Sequence, residues 1–153
     1  MEIKAITPSE SNMVIELFDK YRVFYKQPSD ISLAKTFIQA RLDNKESIIF
    51  VALITGNDIS IPAGFTQLYP IYSSVRAVKN WLLNDLYVDS PYRKQGIGEA
   101  LIKTAMDFAR NEKASYVELS TAIDNFTAQR VYEAIGFQKQ MPDTGFYTYR
   151  IGV

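Results

Sequence analysis

Near the start of the chain, apolar residues recur at helical spacing. Met13, Val14, Leu17, Phe18, Tyr21, Phe24 and Tyr25 share one face of a 3.6-residue period, which predicts an amphipathic helix that Pro28 ends. Thr7, Pro8, Ser9 and Glu10 ahead of it supply the polar capping groups of a helix start. Ser29 or Asp30 can cap a second helix carrying Leu33, Phe37, Ile38 and Leu42, closed by residues 43–46. A short strand over about residues 2–6 precedes both.

The period then changes. Residues 47–54 are β-rich and apolar on both parities, as in a strand buried on both faces. Gly56, Asn57 and Asp58 signal a turn, and a strand over about residues 61–72 completes a hairpin. Pro62 and Gly64 predict that this strand starts at an edge or bulges. A third β-run covers residues 78–88 and stops at Asp89, Ser90 and Pro91. From Gly96 to about Asn111 the helical stripe is strongest: Ile97, Leu101, Ala105 and Phe108, with Ile102 and Ala109 beside it. A strand over residues 116–121 follows, then a helix from Asp124 and Asn125 to Ile135, with Gly136 suited to a left-handed C-cap. Residues 137–139 and 146–151 read as closing strands. This order predicts one α/β domain over residues 1–153, whose central βαβ unit is parallel and right-handed.

Composition narrows the chemistry. The chain has 153 residues, 47% of them apolar, and 17 basic residues balance 17 acidic ones. That balance argues against broad electrostatic binding to nucleic acid or an anionic membrane. No apolar run reaches the length of a bilayer span. Residues 1–6 contain no apolar segment of the signal-peptide kind, so the expected location is cytoplasmic. The sequence has no cysteine and no histidine, which excludes disulfides, Cys/His zinc sites, cysteine nucleophiles and Ser-His-Asp triads. No metal is expected. Catalysis falls to Asp, Glu, Lys, Tyr, Ser/Thr, backbone groups or a cofactor.

The junction over residues 86–101 is where such chemistry concentrates. A strand runs into a proline turn, then a basic glycine loop (Arg93, Lys94, Gln95, Gly96, Ile97, Gly98), then a helix. A helix N-terminus offers unpaired N–H groups and partial positive charge. Gly96 and Gly98 remove Cβ atoms, so a diphosphate can lie against those amides, and Arg93 and Lys94 add charge. A Walker A loop would need Gly-Lys-Ser/Thr, but Glu99 follows Gly98. A Rossmann fingerprint would need Gly or Ala where Leu101 stands, although Glu118 lies about where a ribose-binding acid would. A nucleotide- or NAD-binding enzyme stays open as a rival, as does a glycine turn that only packs the helix on the sheet.

These residues resemble the Arg/Gln-x-x-Gly-x-Gly/Ala loop of the GNAT acetyltransferases. Residues 81–88 resemble that family's fourth strand, 119–125 its fifth strand and following Asn, and 128–137 its last motif, with Tyr132 and Gly136-Phe137 in place. The wording is closest to the Hpa2-like branch, for which a homodimer is the assembly to expect. The resemblance implies the acyl-CoA N-acyltransferase fold: a mixed, mostly antiparallel sheet with a central parallel βαβ unit and helices on both faces. It implies acetyl-CoA as co-substrate and a small-molecule or peptide amine as acceptor. A non-catalytic acyl-CoA sensor on the same fold is the rival from another class.

Site residues follow from the resemblance. Backbone groups of Leu86, Tyr87 and Val88 pair with pantetheine like an added strand. The amides of Arg93, Lys94, Gln95, Gly96, Ile97, Gly98 and Glu99 hold the pyrophosphate. Asn125 bonds the pantetheine arm and Ala128 lines it, although Asn125 also suits a plain helix cap. Tyr132 is the general acid for the departing thiolate, since an ordinary tyrosine pKa of about 10 keeps it protonated; the alternative is a core tyrosine. An amine with a pKa of about 10.4 arrives charged and must lose a proton. Asp85, in an apolar strand and by alternation on a face with Leu83 and Tyr87, is the base or the ammonium anchor, unless it only bonds loop backbone. Glu118, Asp89 or a water chain could instead take the proton, and the amide of Leu86 could serve as oxyanion donor. With no cysteine, attack on the thioester is direct, in a ternary complex. The acceptor pocket is expected among Tyr21, Phe24, Tyr25, Tyr69, Tyr72 and Trp81, with Tyr25 and Trp81 as contacts to a cationic amine.

Overall fold

The computed structural model describes residues 1–56, 59–142 and 145–152. Asn57 and Asp58 of the predicted turn lie outside them. The chain divides into two compact units, Met1–Ser120 and Thr121–Val153.

The first unit is built on a five-stranded sheet in sequence order: β1 (Glu2–Ala5), β2 (Ile48–Gly56), β3 (Ile59–Ser73), β4 (Val78–Val88) and β5 (Val117–Glu118). The pairs β1–β2, β2–β3 and β3–β4 are antiparallel, and β4–β5 is parallel across helix α3 (Ile97–Asn111). This is the expected mixed sheet with its parallel βαβ unit. Helices α1 (Asn12–Phe24) and α2 (Ile31–Asp43) lie in the chain between β1 and β2. A 3-10 turn, Pro8–Glu10, opens α1, and Glu10 closes a capping box with Thr7. Asp30 rather than Ser29 caps α2, its side chain accepting from the Leu33 amide at 2.9 Å. Ser29 is used elsewhere: its hydroxyl and the Asp30 amide both donate to the buried Asp19, at 2.6 and 2.8 Å, which ties the end of α1 to the start of α2.

Both faces of the sheet are covered. On one, Val14, Leu17 and Phe18 of α1 and Ala34, Ile38 and Leu42 of α2 pack on Ile49, Val51, Leu53 and Phe65. On the other, α3 buries Ile97, Leu101, Ile102, Ala105 and Ala109, and its Phe108 meets Phe50 and Trp81 edge-on. Residues of β2 are therefore buried on both parities, as its composition requires.

The bulge predicted from Pro62 and Gly64 is present. Ala52 pairs with Gly64 and Leu53 with Pro62, leaving Ala63 as the extra residue. Gly64 is needed for a second reason: a Cβ there would lie 2.8 Å from Tyr87 O and 3.3 Å from Val88 Cα. Gly64→Ala should force β3 and β4 apart, at about 1–3 kcal/mol. At roughly 2–4 °C per kcal/mol, thermal unfolding followed by circular dichroism would read this as a loss of several degrees. An unchanged midpoint would mean the strands yield freely.

The second unit contains α4 (Phe126–Ile135), capped at its start by Asn125 and at its end by Gly136, which is left-handed at φ 112°. Among the described residues, no strand forms at 137–139 or 146–151, against the sequence expectation. Phe146, Tyr147, Tyr149 and Ile151 are 82–90% exposed. β-propensity yields a strand only where a neighbouring edge takes the backbone bonds, and among the described residues no strand pairs with these segments.

Candidate functional site

The sheet opens beside β4. β5 pairs with it only at Trp81–Val117 and Leu82–Glu118. Asn80, fully buried, pins the approach to β5 by accepting from the Ser115 and Tyr116 amides at 2.9 and 3.1 Å. Beyond Leu82, β4 has no partner on that side among the described residues.

A second bulge decides what this open edge presents. Leu68 pairs with Leu83 and Gln67 with Asp85, so Asn84 is the extra residue on β4. Alternate residues of a strand turn both backbone groups to the same side. The Trp81 amide donates to Tyr116 O at 3.4 Å, so before the bulge the odd-numbered residues face β5. The Asp89 amide donates to Ala63 O at 2.9 Å, so after it the odd-numbered residues face β3. Tyr87 thus turns its backbone to β3, and Leu86 and Val88 turn theirs to the open edge.

The bulge also changes side-chain faces. Asp85 was expected to share a face with Leu83 and Tyr87. It shares one with Tyr87 only, because the extra residue puts Leu83 on the α3 face with Trp81. Trp81 is 3% exposed, packed on Phe108 with Lys79 Nζ 4.3 Å from its ring centroid. The structure does not bring it together with Asp85 or Tyr25.

Past Val88 the chain makes a 3-10 turn, Ser90–Tyr92, capped by Asp89, whose carboxylate accepts from the Ser90 amide at 2.9 Å and from Lys20 Nζ at 2.6 Å. Burial works to raise the Asp89 carboxyl, but these donors hold it below the ordinary carboxylate value. Arg93 folds back, donating from Nε to Val88 O at 2.9 Å with its guanidinium 5.6 Å from the Tyr87 ring centroid. Lys94 and Gly96 both have left-handed backbones, φ 61° and 78°. Gln95 donates to Pro91 O at 3.3 Å.

Gly96 is the N-cap of α3, and the first bond of the helix runs from the Ala100 amide to Gly96 O at 3.0 Å. The amides of Ile97, Gly98 and Glu99 precede that ladder and are unpaired within the helix. A Cβ on Gly98 would meet only Val88 Cγ2, at 3.8 Å. With no side chain on Gly98 and three amides unpaired within the helix, this helix end fits a diphosphate held by backbone N–H groups.

On the α1 face, Asp85 is 3% exposed. Gln67 Nε2 donates to its Oδ2 at 2.5 Å and Asn84 Nδ2 to its Oδ1 at 2.9 Å, and the Tyr21 hydroxyl donates to it as well. Burial pushes the carboxyl up, and these donors partly offset that. Burial and then the Asp85 charge push Tyr21 far above the ordinary phenol range and Tyr69 up to about 12. Tyr25, half exposed, meets Tyr21 with ring centroids 5.0 Å apart. The site residues Asp85 and Tyr25 are thus joined through Tyr21. An open groove beside them runs between α1 and the turn after β4, lined by Asp19, Lys20, Val23, Phe24, Tyr87 and Pro91.

Gln67 was not anticipated. The signal was present: a glutamine amid apolar strand residues, two positions from Tyr69 and so on its face. In the second unit, Asn125 Oδ1 accepts from the Ala128 amide at 3.2 Å, the capping geometry set out as its alternative role. Tyr132 lies on the same helix with its ring centroid 6.1 Å from that of Phe137.

A sequence model described as the Acetyltransferase (GNAT) family matches residues 12–137. The chain belongs to this family. It is 39% identical to the uncharacterized N-acetyltransferase YhfO of Bacillus subtilis, over all of this chain and 98% of that one. It is 25% identical to the thialysine N-epsilon-acetyltransferase of Caenorhabditis elegans, over 98% of this chain and 91% of that one. Its fold is that of a solved probable acetyltransferase, with TM-score 0.87 and 37% identity over 100% of this chain and 98% of that one. A soil-metagenome aminoglycoside acetyltransferase solved with sisomicin shares the fold at TM-score 0.77 and 18% identity, over 97% and 96% of the two chains.

As a GNAT protein the chain is an acyltransferase, from a family that uses acetyl-CoA and acts on amines. Among the described residues there is no His/Cys/Asp/Glu cluster able to hold a metal ion. No helix among them is long and apolar enough to cross a membrane.

Proposed function

We propose that the protein transfers an acetyl group from acetyl-CoA directly to a primary amine, in a ternary complex. One observation carries this reading: the edge of β4 left unpaired among the described residues leads, through the turn Ser90–Tyr92 and the loop that follows, to the N-terminus of α3. An extended amide-bearing arm can add to that edge through Leu86 and the Val88 amide, Val88 O being held by Arg93 Nε. A diphosphate meets the amides from Lys94 through Glu99, the Arg93 amide donating to Ser90 O at 3.4 Å. Arg93 stiffens the turn through Val88 O, and Lys94 supplies charge at its mouth. Bound acetyl-CoA supplies the activated acetyl thioester.

The chain's own groups do the rest. Asp85 receives the acceptor's ammonium, as anchor or base, with the Tyr21 and Tyr25 rings beside it favouring a cation. The Leu86 amide, next to the bulge, can donate to the acyl oxygen. Tyr132 donates a proton to the departing sulfur, and Asn125 and Ala128 border the arm. Tyr132→Phe is expected to lower kcat about 100-fold with acetyl-CoA affinity within about twofold, because only a proton donor is removed. Turnover equal to wild type would take Tyr132 out of that role.

The test of the reading is CoA release from acetyl-CoA with polyamines, amino acids, aminoglycosides and basic peptides as acceptors. Thialysine and lysine join the panel because of the Caenorhabditis elegans relative's activity. Turnover with any of these amines is expected. Tight binding of acetyl-CoA with no turnover on the panel would favour a sensor on the same fold. Mass measurement of the native protein tests the homodimer.

A further inference from the structure

Behind Asp85, buried polar side chains continue away from the acceptor side. Ser47 Oγ donates to Gln67 Oε1 at 2.8 Å, and Gln67 Nε2 donates to Asp85 Oδ2 at 2.5 Å. Gln67 is fully buried, and Ser47 and Asp85 are 4% and 3% exposed. We propose that Gln67, oriented by Ser47, is a positioning residue that holds the Asp85 carboxylate ionised and aimed at the acceptor amine. This rests on the reading of Asp85 as the group that meets that amine.

The direction of the chain of hydrogen bonds is fixed by its middle member. A side-chain amide presents one acceptor and one donor end. With the Ser47 hydroxyl donating to Oε1, the Nε2 end is turned to Asp85. The reverse orientation would set Oε1 against a carboxylate oxygen, two acceptors facing each other. Asp85 therefore meets a donor on either oxygen, Gln67 Nε2 at Oδ2 and Asn84 Nδ2 at Oδ1, with the Tyr21 hydroxyl in addition. This surrounding suits the anion.

What the surrounding lacks is positive charge. Among the described residues, no Lys or Arg pairs with Asp85. From α1 it faces Tyr21, with Tyr25 behind. From β3 it faces Gln67 and Tyr69, and beyond Tyr69 lies the Arg41–Glu46 pair of α2 and its following turn. A buried carboxylate held by neutral donors alone retains a demand for a cation, and a protonated amine meets it. Burial and then the Asp85 charge push the Tyr21 and Tyr69 hydroxyls up, so both stay protonated through the acid range and leave Asp85 as the group of this cluster that titrates there.

Removing the Gln67 donor withdraws part of what favours the anion, so the carboxyl titrates at higher pH. The experiment follows the carbon-13 resonance of the Asp85 carboxyl, assigned by its loss in Asp85→Asn, through a pH titration of the full chain. Gln67→Met is expected to raise the midpoint by about one pH unit, and Ser47→Ala by less, because the amide is then free to turn. In acetyl transfer to the fastest amine of the panel, the acidic limb of kcat/KM should move with the midpoint, an approximately tenfold loss at the acid end. A midpoint unmoved in Gln67→Met overturns the proposal. Should that variant fail to fold, an unmoved midpoint in Ser47→Ala overturns it instead. Full transfer by Asp85→Asn would sink the underlying reading of Asp85, whatever the titration shows of Gln67.

Discussion

Gly98→Val is expected to leave the protein folded and to weaken acetyl-CoA binding by a factor of about 1,000. The two halves of this outcome have separate causes. In the folded chain a Cβ at this position meets only Val88 Cγ2 at 3.8 Å, ordinary contact, and the backbone is not left-handed. Nothing in the protein therefore opposes a Cβ at this position. Its branches instead occupy the space before the amides of Ile97, Gly98 and Glu99, which a phosphate must approach to about 2.9 Å. Losing two hydrogen bonds to a charged group, at about 1.5–3 kcal/mol each, corresponds to a factor of about 1,000. Calorimetric titration with acetyl-CoA, beside a melting curve, measures both halves. Gly96→Val is the contrast, because Gly96 sits at φ 78°, where a branched residue costs about 1–2 kcal/mol whatever is bound. The Gly96 variant should lose melting temperature and the Gly98 variant affinity. Wild-type affinity in Gly98→Val would remove the diphosphate from this helix end.

Chemistry written into local sequence was legible. The left-handed cap at Gly136, and the proline turn and glycine spacing between Val88 and Ile97, are short-range features, and their consequences stay where the sequence puts them. The bounds of β4, residues 78–88, were also legible, since polar turn residues flank an apolar run. The bulge at Asn84 was not. A bulge shows in a pattern only by breaking alternation, and a strand buried on both faces has no alternation to break. That one extra residue moved Leu83 to the α3 face and made Leu86 and Val88, rather than Tyr87, the backbone at the open edge. Trp81 illustrates the same limit: aromatic character says that a residue is covered, not by which helix. The closing strands failed for a different reason. Phe146, Tyr147, Tyr149 and Ile151 have strand composition, but a strand exists only in a pair, and pairing is not a property of the segment. Gln67 stood out as a polar residue among apolar ones, but that signal does not name its partner Ser47, 20 positions away.

Asp85→Asn is expected to raise thermal stability at neutral pH while lowering acetyl transfer by about 100- to 10,000-fold, the usual range for a lost general base. The stability gain follows from the hydrogen-bond chain as much as from the charge. The new amide brings a donor where Asp85 had an acceptor, facing Gln67 Nε2. The Gln67 amide can turn over, because the Ser47 hydroxyl accepts as readily as it donates. Each group then keeps a partner and the buried negative charge is gone. The pH dependence gives the sign. Burial raises the Asp85 carboxyl in the folded state above its ordinary value of about 3.9. Between those values the folded protein binds more protons than the unfolded chain. The contribution of Asp85 to stability is therefore present below the ordinary value and lost as pH rises through the folded one. Carboxyls such as Asp19 and Asp89 shift the other way, but they are common to both proteins and cancel in the difference. The melting temperature of the variant minus that of wild type should be near zero at about pH 4 and reach several degrees at neutral pH. Stability that the variant loses at neutral pH would mean the carboxylate is held by its surroundings at no net cost, and so needs no cation from a substrate to complete its site.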